Sequence, residues 1–298
     1  MIKRIFFLTF IIIFAFSCSD NPKDDPIPIP KKKDKDNTSN FDETPLNQII
    51  ESFSSSIEMA AVIENLGVPF SEEYIVPSTL AKNFDSNFKK AIGLGMYSAD
   101  LGYLNVYNET NLIIEYLKQI KRLSGDLDID QFFDFKSLKE LATNREDLPK
   151  LMMQSVESYN NMSAYLRSSK RTDLSALMVT GVWVEGLFLA CKVNNFKASK
   201  KLKDRVGSQK EILAKLYYVL KYFKDKPYFS DLIRDLEDLK EAYRPVRIIV
   251  EKGEGKETVD EYGNPRYIPD ETTRIIITPE QLKEISDIII KIRNKLIS

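Results

Sequence analysis

Beyond residue 43, apolar residues recur three and four positions apart along most of the chain, which is the spacing of amphipathic helices. Thr44 and Pro45 form a helix start and Gly67 a helix stop, so the first helix is predicted between them. A second helix is predicted from Ser78–Thr79. The same spacing predicts four further amphipathic helices, at 108–124, 144–166, 212–223 and 230–243.

The stretch that follows Asp173, LSALMVTGVWVEGLFLACKV, differs from the others because it is apolar on almost every side. A helix of this composition is buried among other helices in a large bundle. Its glutamate, its two glycines and its distance from the N-terminus make it a poor membrane span.

Pro245 ends the helical pattern, and β-branched residues then alternate with polar ones in VRIIVEKG and TTRIIIT. A turn signal, YGNP, lies between them. We therefore expect a small β-hairpin insertion at about 246–278, before a C-terminal helix that starts at Thr278 with a capping-box Gln281. The predicted fold class is mainly α, a multi-helix bundle or an irregular α-solenoid, formed by a domain at 44–298.

The first seventeen residues have the features of a signal peptide. Lys3 and Arg4 precede a twelve-residue apolar run, Ile5–Phe16, which is shorter than the roughly 20 residues of a membrane span. Ser17 and Cys18 follow, and this end of the run resembles the lipobox of bacterial lipoproteins. The resemblance implies that the Cys18 thiol receives a diacylglycerol and becomes the first residue of the mature, acylated (palmitate-type) protein. The alternative is an ordinary secretory signal with an incidental cysteine.

Residues 18–43 are predicted to be a disordered tether, because prolines and charges dominate and apolar surface is scarce. Lys23-Asp24-Asp25 resembles the export signal of surface lipoproteins in Bacteroidota, and the alternative is a plain solvated linker. The implied location is the cell envelope, with a lipid anchor in the outer membrane and the domain on the cell surface or the periplasmic face.

Composition removes several classes of function. The net charge of −1 gives no basic surface for nucleic acid. The chain has no histidine, which excludes Ser-His-Asp and Cys-His catalysis and His-ligated zinc. Cys191 is the only cysteine besides Cys18, so the mature domain has no internal disulfide. No metal site and no cofactor is predicted.

Small residues interrupt two of the apolar segments. Gly95, Ala99 and Gly102 share one helix face, and Gly181 and Gly186 interrupt the segment after Asp173. Such positions allow two helices to pack with their backbones in contact, or else leave room for a ligand.

Each of these segments also carries a carboxylate among apolar neighbours, Asp100 in one and Glu185 in the other. A buried carboxylate must be hydrogen-bonded, paired or protonated. The first interpretation is structural, with tyrosine hydroxyls, Lys192 or Arg171 as partners. The second is a ligand-binding cleft, and the third is a carboxylate pair that performs acid–base catalysis. The candidate ligand-binding residues are Asp100, Tyr103, Tyr107, Trp183 and Glu185.

The segments AIGLGMYSADLGYLNVY and LMVTGVWVEGLFLA resemble segments of uncharacterised envelope lipoproteins of Bacteroidota, which implies the helical fold and the anchor but no activity. The favoured function is a lipid-anchored envelope protein that binds a ligand or a partner. The alternative is a carboxylate-dependent envelope enzyme acting on saccharide or peptide. The expected partners are the membrane, through the anchor, and another envelope protein or a glycan.

Overall fold

The computed structural model describes residues 41–52, 63, 66–253, 255–259, 265–268 and 271–298. The predicted signal peptide, Cys18 and the predicted tether up to residue 40 lie outside the described residues. The described part is mainly α, as the sequence predicts. Its α-helices are α1 (Thr44–Ser52), α2 (Asn87–Val106), α3 (Thr110–Asp126), α4 (Phe135–Ala142), α5 (Leu148–Ser168), α6 (Thr172–Phe196), α7 (Lys200–Tyr222), α8 (Phe229–Tyr243) and α9 (Pro279–Ile297).

Several helix starts differ from the sequence prediction, and local capping explains two of them. Residues Ser78–Asn83 form a 3₁₀ helix, and α2 begins only at Asn87 because the Ser86 hydroxyl caps the Lys89 N–H at 3.2 Å. The short α4 has no counterpart in the prediction; the Asp134 side chain caps it. The start of α7 at Lys200 lies twelve residues before the predicted one, in a stretch where charged residues outnumber apolar ones.

Asn144 was expected to cap the helix that reaches Leu166. Its side-chain amide instead donates to Asp147 at 2.8 Å, and a 3₁₀ turn separates it from α5, which begins at Leu148.

The centre of the fold is the pair α2 and α6, which pack along each other more extensively than any other two described elements. Among the described residues, α6 is the one helix long and apolar enough to cross a membrane, but 94% of its apolar window is buried inside the fold. It is therefore the core helix that its composition predicts.

Gly95 and Gly181 explain why α2 and α6 lie so close. A Cβ on Gly95 would stand 2.0 Å from the Met178 carbonyl oxygen, and one on Gly181 would stand 2.1 Å from the Ile92 carbonyl oxygen. Because each glycine lacks a side chain, the backbone of the other helix can lie directly against it. The interpretation of these two residues as close packing sites is confirmed.

The predicted β insertion is present before the C-terminal helix. Strand β1 (Arg247–Lys252) pairs antiparallel with β4 (Glu271–Ile276), and β2 (Lys256–Val259) pairs antiparallel with β3 (Pro265–Ile268). The first pair packs on α7, where an Ile275 methyl group covers Gly207.

Helix α9 returns to the bundle after the insertion. The predicted capping box is formed, since Thr278 accepts from the Gln281 N–H and the Gln281 side chain accepts from the Thr278 N–H. The apolar stripe of α9 packs against α6 and α8, and this places Arg293 next to the core helix.

Candidate functional site

Asp100 on α2 and Glu185 on α6 come together in the core, and both side chains are 0% exposed. Arg293 of α9 completes the group. Its Nε lies 3.2 Å from Glu185 Oε2 and its Nη2 lies 3.1 Å from Oε1. The guanidinium carbon stands 4.4 Å from the centroid of the Phe188 ring, in cation–π geometry. We call Asp100, Glu185 and Arg293 the buried charge cluster.

The two carboxyl groups of the cluster differ in their partners. Asp100 Oδ2 accepts from the Val76 N–H at 2.9 Å, whereas Oδ1 receives no donor from the residues that the structure describes. Glu185 and Asp100 are buried beside a single cation, Arg293, so ionisation of both carboxyls is unfavourable. With Asp100 neutral, the single carboxylate charge of Glu185 balances Arg293.

Burial explains which carboxyl keeps the proton. It raises the pKa of Asp100 well above the ordinary 3.8, and the neighbouring Glu185 carboxylate raises that pKa further. Burial also raises the pKa of Glu185, but the charge of Arg293 and its hydrogen bonds oppose the effect. Asp100 is thus the neutral member and Glu185 the charged one.

The partners of these carboxyls are not the predicted ones. The tyrosine hydroxyls nearest Asp100 donate to backbone instead, Tyr97 to the Pro77 carbonyl at 3.0 Å and Tyr116 to the Val76 carbonyl at 2.5 Å. Lys192 and Arg171 also bind elsewhere: the Lys192 ammonium lies over the Phe188 ring, and Arg171 donates to the Leu127 carbonyl.

Sequence reasoning missed Arg293. Its signal was its place on α9, four residues after the buried Ile289 and therefore on the apolar stripe of that helix. A cation on a buried stripe requires a buried anion.

We expect Asp100→Asn to keep the fold and to change how stability depends on pH. The native state holds the Asp100 proton at pH values where the unfolded chain has released it, so the free energy of unfolding of the parent protein falls as pH rises above about 4. Asparagine supplies the same donor and acceptor without ionising. In thermal unfolding followed by circular dichroism, Asp100→Asn should come close to the parent at about pH 4 and melt at a higher temperature at about pH 8.

Asp100→Ala is the matched control, because it leaves the Val76 N–H buried without an acceptor. Relative to Asp100→Asn, we expect it to cost about 1 to 3 kcal/mol at both pH values. Equal losses for the two variants at every pH would contradict a neutral Asp100.

A cavity of about 710 Å³ lies beside α2 and α6. Residues of α1, α3, α5 and α7, with Ile63 and Phe133, complete its wall, and lining residues such as Asn160 and Glu211 are exposed at the surface. Gly102 and Gly186 both line it, and a Cβ on either would meet no heavy atom within 4 Å. The alternative interpretation of the small residues, room for a ligand, therefore fits these two glycines.

The structure divides the candidate residues between these two features. Tyr103 and Trp183 line the cavity, whereas Asp100 and Glu185 do not line it and belong to the charge cluster. Tyr107 is outside the described lining; it packs against the Tyr103 ring, and its hydroxyl donates to the Val68 carbonyl at 2.7 Å.

Trp183 and Tyr103, the two predicted residues that line the cavity, each make a hydrogen bond with another part of the protein. Trp183 Nε1 donates to Gln209 Oε1 at 2.9 Å, and Tyr103 OH accepts from the Ser71 N–H at 3.2 Å. These side chains therefore offer the cavity mainly their ring surfaces.

No family model, curated protein or solved structure matches this chain. The function is therefore assigned from the cavity and the charge cluster. The cluster supplies no site for catalysis, because carboxylates that act on a substrate must reach it, and both carboxyls are fully buried. The cavity has the volume of a small-molecule site.

Proposed function

We propose that the protein is a lipid-anchored binding protein of the bacterial cell envelope, and that it holds a small molecule in the cavity between α2, α5, α6 and α7. The observation that carries the proposal is the cavity. Its volume of about 710 Å³ is in the range of small-molecule sites, and its wall is mostly apolar with a few polar groups.

The two glycines of the wall support the proposal. A glycine inside a helix costs about 1 kcal/mol relative to alanine. At Gly95 and Gly181 the contact between the helices requires the glycine. At Gly102 and Gly186 there is space for a side chain, so packing gives no reason for glycine there. A ligand that occupies this space would be a reason for glycine at both positions.

The anchor completes the proposal. The signal peptide, Cys18 and the tether would attach the domain to the outer membrane, on the surface or the periplasmic face. Acylation of Cys18 adds lipid mass to the N-terminal residue of the mature protein, and mass spectrometry of that peptide tests it.

We expect the cavity to bind the uncharged fluorescent probe N-phenylnaphthylamine. Trp183 is the only tryptophan in the sequence and it lines the cavity, so its emission reports on this site alone. The mature chain from residue 18, carrying Cys18→Ser so that no detergent is needed, should show quenching of Trp183 and enhanced probe emission as the probe is added.

Gly186→Leu should weaken this quenching because its side chain occupies the part of the cavity beside Trp183, while Gly186→Ala should retain most of it. The melting temperatures of both variants should stay near that of the parent. A change in quenching can then be attributed to the smaller cavity and not to unfolding. Quenching of equal size in the parent and Gly186→Leu, or none in the parent, would contradict the proposal.

A further inference from the structure

We infer that the ligand is an uncharged amphiphile, an apolar chain that ends in one hydrogen-bond donor such as a hydroxyl or an amide. The inference rests on the proposed function and names the chemical class of the ligand. It follows from the distribution of charge around the cavity and from two polar oxygens in its wall.

Charge is confined to one side of the cavity. The described lining residues of α2, α5 and α6 include no charged side chain. The charged lining residues, Glu51, Arg205 and Glu211, belong to α1 and α7, and both glutamates are exposed. A charged group placed against the α2, α5 and α6 walls would lose its hydration without gaining a counter-ion there, which costs several kcal/mol. A neutral ligand avoids this cost.

Asn105 provides the first polar position. Its Nδ2 donates to the Leu148 carbonyl at 3.3 Å, which fixes the orientation of the amide. Its Oδ1 is buried and receives no hydrogen bond from the residues that the structure describes. An amide oxygen only accepts, so the group that satisfies it must be a donor.

Ser155 provides the second position. A serine or threonine inside a helix commonly donates to the carbonyl four residues earlier, as Ser98 does to Leu94 and Thr180 does to Ala176, both at 2.7 Å. Ser155 lies inside α5 and lines the cavity, yet its buried hydroxyl has no partner among the described residues. A hydroxyl or an amide of the ligand can pair with it.

The test compares three probes of one chain length: decanol, its methyl ether and decanoate. Each competes with N-phenylnaphthylamine, and the return of Trp183 emission gives its affinity. The alcohol donates, the ether only accepts, and the carboxylate is charged. We expect decanol to bind about tenfold more tightly than the ether, the value of one net hydrogen bond, and more tightly than decanoate.

Substitutions at Asn105 and Ser155 test whether these two residues cause the preference for decanol over its ether. Asn105→Leu and Ser155→Ala together should reduce the ratio between decanol and its ether to about one, while the affinity for N-phenylnaphthylamine stays within about twofold. Decanoate binding as tightly as decanol, or a ratio unchanged in the double variant, would overturn the inference and leave the binding function standing. Absence of probe binding in the parent contradicts the proposed function itself.

Discussion

Replacing Arg293 by methionine should lower the free energy of unfolding by about 3 to 5 kcal/mol, because it leaves the Glu185 carboxylate buried without its cation. Methionine retains much of the apolar contact with Phe188 but supplies no charge and no donor. With Arg293 absent, its charge no longer offsets the rise that burial causes in the pKa of Glu185, so Glu185 becomes protonated more easily. The native state then binds more protons than the unfolded state, so the loss should be larger at about pH 8 than at about pH 5. Urea unfolding at both pH values measures it.

Lys295→Met on the same helix is the matched control. Lys295 pairs with Asp235 at 2.5 Å, but 49% of its side chain is exposed, so its removal should cost less than about 1 kcal/mol. Adding Glu185→Gln to Arg293→Met removes the uncompensated charge and should restore most of the stability. If Arg293→Met and Lys295→Met have similar effects, the charge cluster does not stabilise the fold in this way.

The parts of the fold that depend on residues close together in the sequence were predictable from it. The period of the apolar positions identified most of the helices, the apolar surface of α6 indicated its burial, and the β-branched alternation located the insertion. Helix starts were less predictable. The shift of α2 from residue 78 to Asn87 depends on which of two nearby serines caps the helix, a small difference in free energy.

The charge cluster was only half predictable. Burial of Asp100 and Glu185 follows from the apolar residues around each, but Arg293 lies 108 positions after Glu185. Only the return of α9 against α6 brings them together, and no local pattern encodes which helices become neighbours.

The cavity was less predictable still. Gly95 and Gly102 lie on one face of α2, seven residues apart, and nothing in their spacing tells them apart. Seven residues correspond to about 10 Å along the helix. Over that distance the neighbouring element changes from the α6 backbone to open space. The sequence could therefore offer packing and ligand space only as alternatives, and the structure contains both.

Alanine substitutions at the four glycines should separate these two roles. At Gly95 a Cβ would lie 2.0 Å from the Met178 oxygen and 2.8 Å from the Val182 nitrogen. Both are backbone atoms of a buried helix, so no change of rotamer relieves the clash and α2 must move away from α6. We expect Gly95→Ala to cost about 3 kcal/mol or more in the free energy of unfolding, the upper end of overpacking effects. Gly181→Ala should behave alike, because its Cβ meets the Ile92 carbonyl at 2.1 Å.

Gly102→Ala and Gly186→Ala make the same chemical change on the same two helices, where the Cβ enters open space. They should gain about 0.5 to 1 kcal/mol, because alanine restricts the unfolded chain and favours the helix. Urea midpoints of the four variants give the comparison directly. A uniform loss at all four positions would mean that the space beside Gly102 and Gly186 is closed in solution, and the binding function proposed for it would fail as well. Opposite signs at the two pairs would show that the sequence keeps two glycines against their cost in stability, at the two positions where a ligand would need the space.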